Sequence, residues 1–184
     1  MGVAMQLLGA LRAGSTCWLV AFACLFTGNQ VKGEVIETWH IENWAVSLVA
    51  GDDGGYMCGA WSIIDNNDII VLAITEHGVQ MGLTNESWRL PIDRVYNVTV
   101  RIDRQYSRTL NAYVRDYTKV DIYFGFDEVF WSAYRYGQTM RVVSPGFQWT
   151  ISLRGTLAAS ELLLTCMEAY IFNDLNSTNP FEPR

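Results

Sequence analysis

His40 and His77 are the only histidines in the 184 residues. A histidine-rich metal cage is therefore excluded, and any Ser-His-Asp or Cys-His pair must draw on one of these two. Neither stands in a nucleophile motif, for the chain contains no G-x-S-x-G and no H-E-x-x-H. His77 precedes Gly78 at an expected turn and reads as a surface histidine, as does His40. An EF-hand-like spacing begins at Asp65, with Asn67 at the third place and Glu76 at the twelfth. Ile69 and Ile70 occupy the fifth and sixth places, where a ligand and a glycine are required, so the segment reads as a hairpin with carboxylates nearby. Asp52-Asp53-Gly54-Gly55 reads as a solvated turn. No catalytic residue, metal site or cofactor is expected.

Paired acids for glycoside chemistry can come from any two strands, and nothing in the sequence selects a pair. Outside the first 33 residues stand Trp39, Trp44, Trp61, Trp88, Trp131 and Trp149. Trp44 and Trp149 fall on apolar strand faces and read as core. Trp88 follows the polar Asn85-Glu86-Ser87 and precedes Arg89, which makes it the best candidate for an exposed ring. A binding surface is expected at Trp88, Arg89 and the strand face carrying Arg101.

The elements that would position these residues are mostly strands. Trp44–Val49 runs into a glycine-rich turn, and Tyr56–Ile64 and Asp68–Thr75 flank Asp65-Asn66-Asn67 as a hairpin. Val98, Val100 and Ile102 alternate with Thr99, Arg101 and Asp103, and Phe147–Leu153 repeats that period of two. Two helices are expected. One spans Asp127–Tyr136, with Phe130, Ala133 and Tyr134 on one face and Gly137 as its stop. The other runs from an N-cap at Thr156 to about Phe172, burying a stripe of Ala159, Leu162, Leu163, Cys166, Met167 and Tyr170. The fold class is mainly β (α+β): an antiparallel sheet or sandwich with a C-terminal helix packed on it.

Cys17 to Phe26 form a ten-residue apolar run preceded by Arg12, the pattern of a signal-peptide core and short for a membrane span. The expected organisation is a signal peptide over 1–33, one β-rich domain over 34–172 and a flexible tail over 173–184. The alternative to cleavage is an N-terminal inner-membrane anchor. Cys58 and Cys166 remain in the mature chain, and two cysteines in an exported domain suggest a bridge, which would staple the second helix to the sheet. A periplasmic or extracellular location follows.

The net charge is −6, and without Arg12 and Lys32 of the first 33 residues the chain keeps 11 bases against 19 acids. Such a balance repels phosphate backbones, so nucleic acid is not an expected partner. Six of the bases, Arg89, Arg94, Arg101, Arg104, Arg108 and Arg115, cluster with Tyr96, Tyr106 and Tyr113. They read as the outer face of paired strands, with an anion or acidic-polymer contact as the alternative.

Four segments carry a resemblance: the early Trp44 strand followed by Cys58, Gly82–Leu90, Tyr96–Asp103, and Phe147–Cys166 around Leu153-Arg154-Gly155-Thr156-Leu157-Ala158-Ala159. On these the chain from Trp44 to Cys166 resembles exported bacterial domains of unknown function found alone or beside trypsin-like and caspase-like peptidase domains. The resemblance implies an envelope-located accessory domain with paired cysteines and brings no catalytic residues to carry over. The present chain has no peptidase module of its own. The function expected is a non-enzymatic binding or accessory module for an envelope protein or glycan, touching membrane only if the N-terminal segment is left uncleaved. The alternatives are a hydrolase with a carboxylate or His77-based site, and a structural envelope subunit.

Overall fold

A computed structural model describes residues 33–51, 54–64, 68–75 and 77–172. The expected export segment, the tail, Asp52-Asp53, the Asp65–Asn67 turn and Glu76 lie outside the described residues.

Alternating side chains and closely spaced turns give ten strands: β1 (Glu34–Ile41), β2 (Trp44–Ala50), β3 (Tyr56–Ile63), β4 (Ile69–Thr75), β5 (Gly78–Thr84), β6 (Val95–Ile102), β7 (Tyr106–Asp116), β8 (Lys119–Gly125), β9 (Thr139–Ser144) and β10 (Phe147–Ser152). All pair antiparallel in one sheet of order β1-β2-β3-β4-β5-β8-β7-β6-β9-β10. A twisted sheet this wide curls, and here β10 comes round to the β1–β4 side. The Trp44 indole N–H donates to the Ser152 carbonyl at 3.2 Å, and the Trp149 indole N–H donates to Asp68 Oδ2 at 2.7 Å.

The inner face is largely apolar, with Ser62 of β3 and Asp68 before β4 as buried polar exceptions. Val46, Leu48, Ile70, Leu72, Met81, Val100, Ile102, Ile122 and Met140 are buried in one continuous core. β2 is buried on both faces because Trp61 lies on its outer side, donating from its indole to Ser47 Oγ at 3.0 Å.

Helix α1 (Glu128–Tyr136) begins at Asp127, whose carboxylate accepts the Phe130 N–H at 2.9 Å. It buries Phe130, Ala133 and Tyr134, as the spacing predicts, and Phe130 stacks on Phe124 with ring centres 3.6 Å apart. Helix α2 (Thr156–Met167) departs from expectation at both ends. Gly155, at φ 93°, is its N-cap, while the Thr156 hydroxyl is turned inward to the carbonyls of Tyr134 and Leu153. Beyond Met167 the backbone widens into a π-helical turn, Glu168–Phe172, and Tyr170 leaves the buried stripe for the ring of Tyr56.

Cys58 of β3 and Cys166 of α2 form a disulfide, with Cα atoms 6.1 Å apart. The C-terminal helix is thereby stapled to the inner face of the sheet. The helices cover one end of β6–β8, near Ile102, Tyr106 and Phe124. The other end, near Tyr96, Ala112 and Val120, is free of them and opens into a cleft.

Candidate functional site

The cleft has a volume of about 540 Å³. Its floor is the end of the apolar core: Leu83 of β5, Val98 of β6, Ala112 of β7 and Val120 of β8, one inward residue from each of four neighbouring strands. Trp88, Leu90, Tyr96, Phe147 and Trp149 form the walls. Arg89 and Arg94, both exposed, stand at the lip, and Ser144 and Tyr96 supply hydroxyls to the lining.

A buried carboxylate fixes the aromatic walls. Asp68 is 2% exposed just before β4. One of its oxygens accepts the Trp149 indole N–H, and the other accepts the Asn85 amide at 2.5 Å. Asn85 in turn organises the loop after β5: its Oδ1 accepts the Ser87 N–H and hydroxyl, and its carbonyl accepts the Trp88 N–H. Leu90 is tied back by its N–H to the Tyr117 carbonyl at 2.8 Å. Trp88 is thus delivered edge-on to Trp149, with centroids 5.8 Å apart, and the Phe147 ring lies 4.5 Å from that of Trp149.

The arginines at the lip are also held. Arg89 Nη1 donates to the carbonyls of Glu86 and Trp88, and the Arg94 guanidinium lies 5.5 Å from the centre of the Tyr96 ring.

Trp88 and Arg89 therefore meet at one site. Arg101 does not join them, because the alternation that buries Val98, Val100 and Ile102 sends it to the outer face, opposite Ser107 and Arg141. Trp149, expected in the core, is half-buried and walls the cleft. Tyr96, which the sequence groups with the arginine cluster, completes the arrangement together with Phe147 and Asp68, whose sequence context marks them only as strand ends. A signal for Phe147 and Trp149 exists in the Pro145-Gly146 turn that precedes them, which places their strand start at a sheet rim.

The other arginines of the cluster are distributed. Arg108 pairs with Asp127 at 3.1 Å, and Arg115 lies over Tyr113 and Tyr123 on the outer face, 3.7 Å from Asp121. Asp121 and Lys119 are buried there side by side, 3.4 Å apart. Burial pushes the Asp121 carboxyl up, against the pull of Lys119, and pushes the Lys119 amine down, against the pull of Asp121. Burial, then the Asp127 charge, raise the Tyr106 phenol to about 12. Neither the shifted carboxyl nor the phenol lines the cleft.

His77 is exposed in the β4–β5 turn, and His40 is exposed on β1 with its ring edge-on to Trp61 at 6.4 Å. Among the described residues no three of His, Cys, Asp or Glu gather to hold a metal ion, and no helix is long and apolar enough to cross a membrane.

No family model matches the chain, and no curated protein is similar to it in sequence. Among solved structures the chain is similar to the invasion associated protein B from Bartonella henselae, with a TM-score of 0.55 at 16% identity, over 73% of this chain and 99% of that one. That likeness shows the fold. It adds no residue roles to those the geometry provides.

Proposed function

We propose that this chain is an exported binding module whose ligand enters the Trp88–Trp149 cleft, and that it performs no covalent chemistry on that ligand. The observation that carries this reading is the character of the cleft. A concave, largely apolar site of this size with a few placed polar groups is the usual form of a small-ligand pocket. Its rings are pre-positioned by Asp68, and its polar groups are few: two arginines, a serine, the Tyr96 hydroxyl and the Trp88 indole N–H. Both oxygens of Asp68 are already engaged, which argues against its use as a general base. Asp121, the carboxyl that burial raises, belongs to the outer face of β8. The disulfide supports a site of action in the periplasm or outside the cell, with residues 1–33 as the signal peptide or, if retained, a membrane anchor.

The structural-subunit alternative draws on the two open edges of the sheet, β1 and β10. β1 carries Glu34, Glu37 and a register irregularity between Val35 and Glu37, devices that discourage edge pairing.

The test is to purify the chain from its native envelope, extract bound small molecules with organic solvent and identify them by mass spectrometry, beside a Trp88→Ala, Arg89→Ala double variant. The reading expects a molecule carried by the parent and missing from the variant. Equal recovery from both would overturn it.

A further inference from the structure

We infer that the ligand of this cleft is a single-chain anionic amphiphile, an acyl tail on the floor with its acidic head at Arg89 and Arg94. The inference rests on the cleft being the binding site and adds the class of molecule. Leu83, Val98, Ala112 and Val120 offer the floor hydrocarbon alone. Each hydroxyl of a sugar, or each amide of a peptide, placed there would lose water and gain no partner, at about 1–3 kcal/mol apiece. An unbroken hydrocarbon tail has no such group to desolvate.

The lip has the opposite character. In a chain with a net charge of −6, Arg89 and Arg94 stand at the mouth without a carboxylate partner among the described residues. Arg89 is held by two backbone carbonyls and Arg94 lies over Tyr96, so both guanidinium groups are positioned before any ligand arrives. Positioned guanidinium groups match the two oxygens of an acidic head group. The mouth therefore selects negative charge while the floor selects a tail.

Isothermal titration of the oxidised full chain with dodecanoate and dodecyltrimethylammonium, each below its micelle-forming concentration, and with dodecanol below its solubility limit, tests this. Dodecanoate should bind about tenfold more tightly than dodecanol, and the cationic chain more weakly than either. Arg89→Gln with Arg94→Gln should remove that tenfold preference and leave dodecanol unchanged, while Arg101→Gln on the outer face should alter none of the three. Equal affinity for dodecanoate and dodecanol would overturn the anionic head and leave the cleft as the binding site. No binding of any of the three, by a chain that still carries an envelope molecule lost in the Trp88→Ala, Arg89→Ala variant, would overturn the amphiphile class alone. No binding together with no such molecule would overturn both.

Discussion

The indole of Trp149 and the carboxylate of Asp68, 81 residues apart in sequence, meet at 2.7 Å and join β10 to the start of β4. The last strand of the sheet is thereby locked against its first half, and the same carboxylate holds Asn85 and with it the Trp88 loop. Replacing Asp68 with Ala should cost about 2–3 kcal/mol, since it leaves two half-buried donors without their acceptor. Asp68→Asn keeps one acceptor and should cost less, about 1–2 kcal/mol. Urea unfolding of both variants checks the order, and Trp emission of the folded Ala variant should shift to longer wavelength as the rings loosen.

Cys58 and Cys166 close a loop of 108 positions. In the chain-entropy picture such a cross-link stabilises by about 4–5 kcal/mol. Cys58→Ser, Cys166→Ser and the double variant should therefore lower the unfolding midpoint by the same large amount under oxidising conditions. Addition of reductant should bring the parent down to meet them. A midpoint in the single variants equal to the parent's would mean that the bridge does not hold α2 to the sheet.

Much of this fold is visible in the residue pattern. Val98, Val100 and Ile102 mark β6, the periodic stripe marks α2, and Phe130, Ala133 and Tyr134 mark α1. β8 is hidden because Lys119 and Asp121, which read as polar, are buried against each other on its outer face. Pairing of β5 with β8 and of β6 with β9 skips sequence neighbours, so local turn signals carry no trace of it. At the site, Trp88 and Arg89 stand out because polar residues precede them. Trp149 does not, because a period of two cannot distinguish a ring sunk in the core from one walling a cleft. Arg101 misleads for the same reason: its face is polar, but it is the opposite face of β6 from the one the cleft uses.

Gly78 sits at φ 101°, and a Cβ added there would lie 2.2 Å from the Gly125 carbonyl carbon. The backbones of β5 and β8 approach at this point, beside the register shift between Val79 and Gln80. Gly78→Ala should cost about 3 kcal/mol through strain and overlap together. Gly54, at φ 81° with open space around it, isolates the strain alone, and Gly54→Ala should cost about 1 kcal/mol. Thermal or urea unfolding of the pair separates the two effects.

Asp127 caps α1 and binds Arg108. Burial works against its charge, but the Phe130 N–H, Tyr106 and Arg108 together hold the carboxyl below its ordinary value of 3.8. A carboxylate whose folded pKa is depressed contributes stability that is complete above the unfolded pKa and is lost as pH falls through the folded one. Asp127→Asn keeps a capping oxygen but not the charge, so it should be about 1 kcal/mol less stable than the parent at pH 7. That gap should close as the pH falls below 3.8 and through the depressed folded value. Unfolding curves of both proteins across that range provide the check.

A ligand that enters the cleft meets Trp88 and Trp149 as two of its walls. The most direct measurement is a nitrogen-15 spectrum of the tryptophan indole N–H groups during titration with dodecanoate. The Trp88 and Trp149 resonances should move together and saturate, while Trp44 and Trp61, bonded to Ser152 and Ser47 elsewhere in the fold, should stay in place. Movement confined to Trp44 or Trp61, with Trp88 and Trp149 unmoved at saturation, would contradict it.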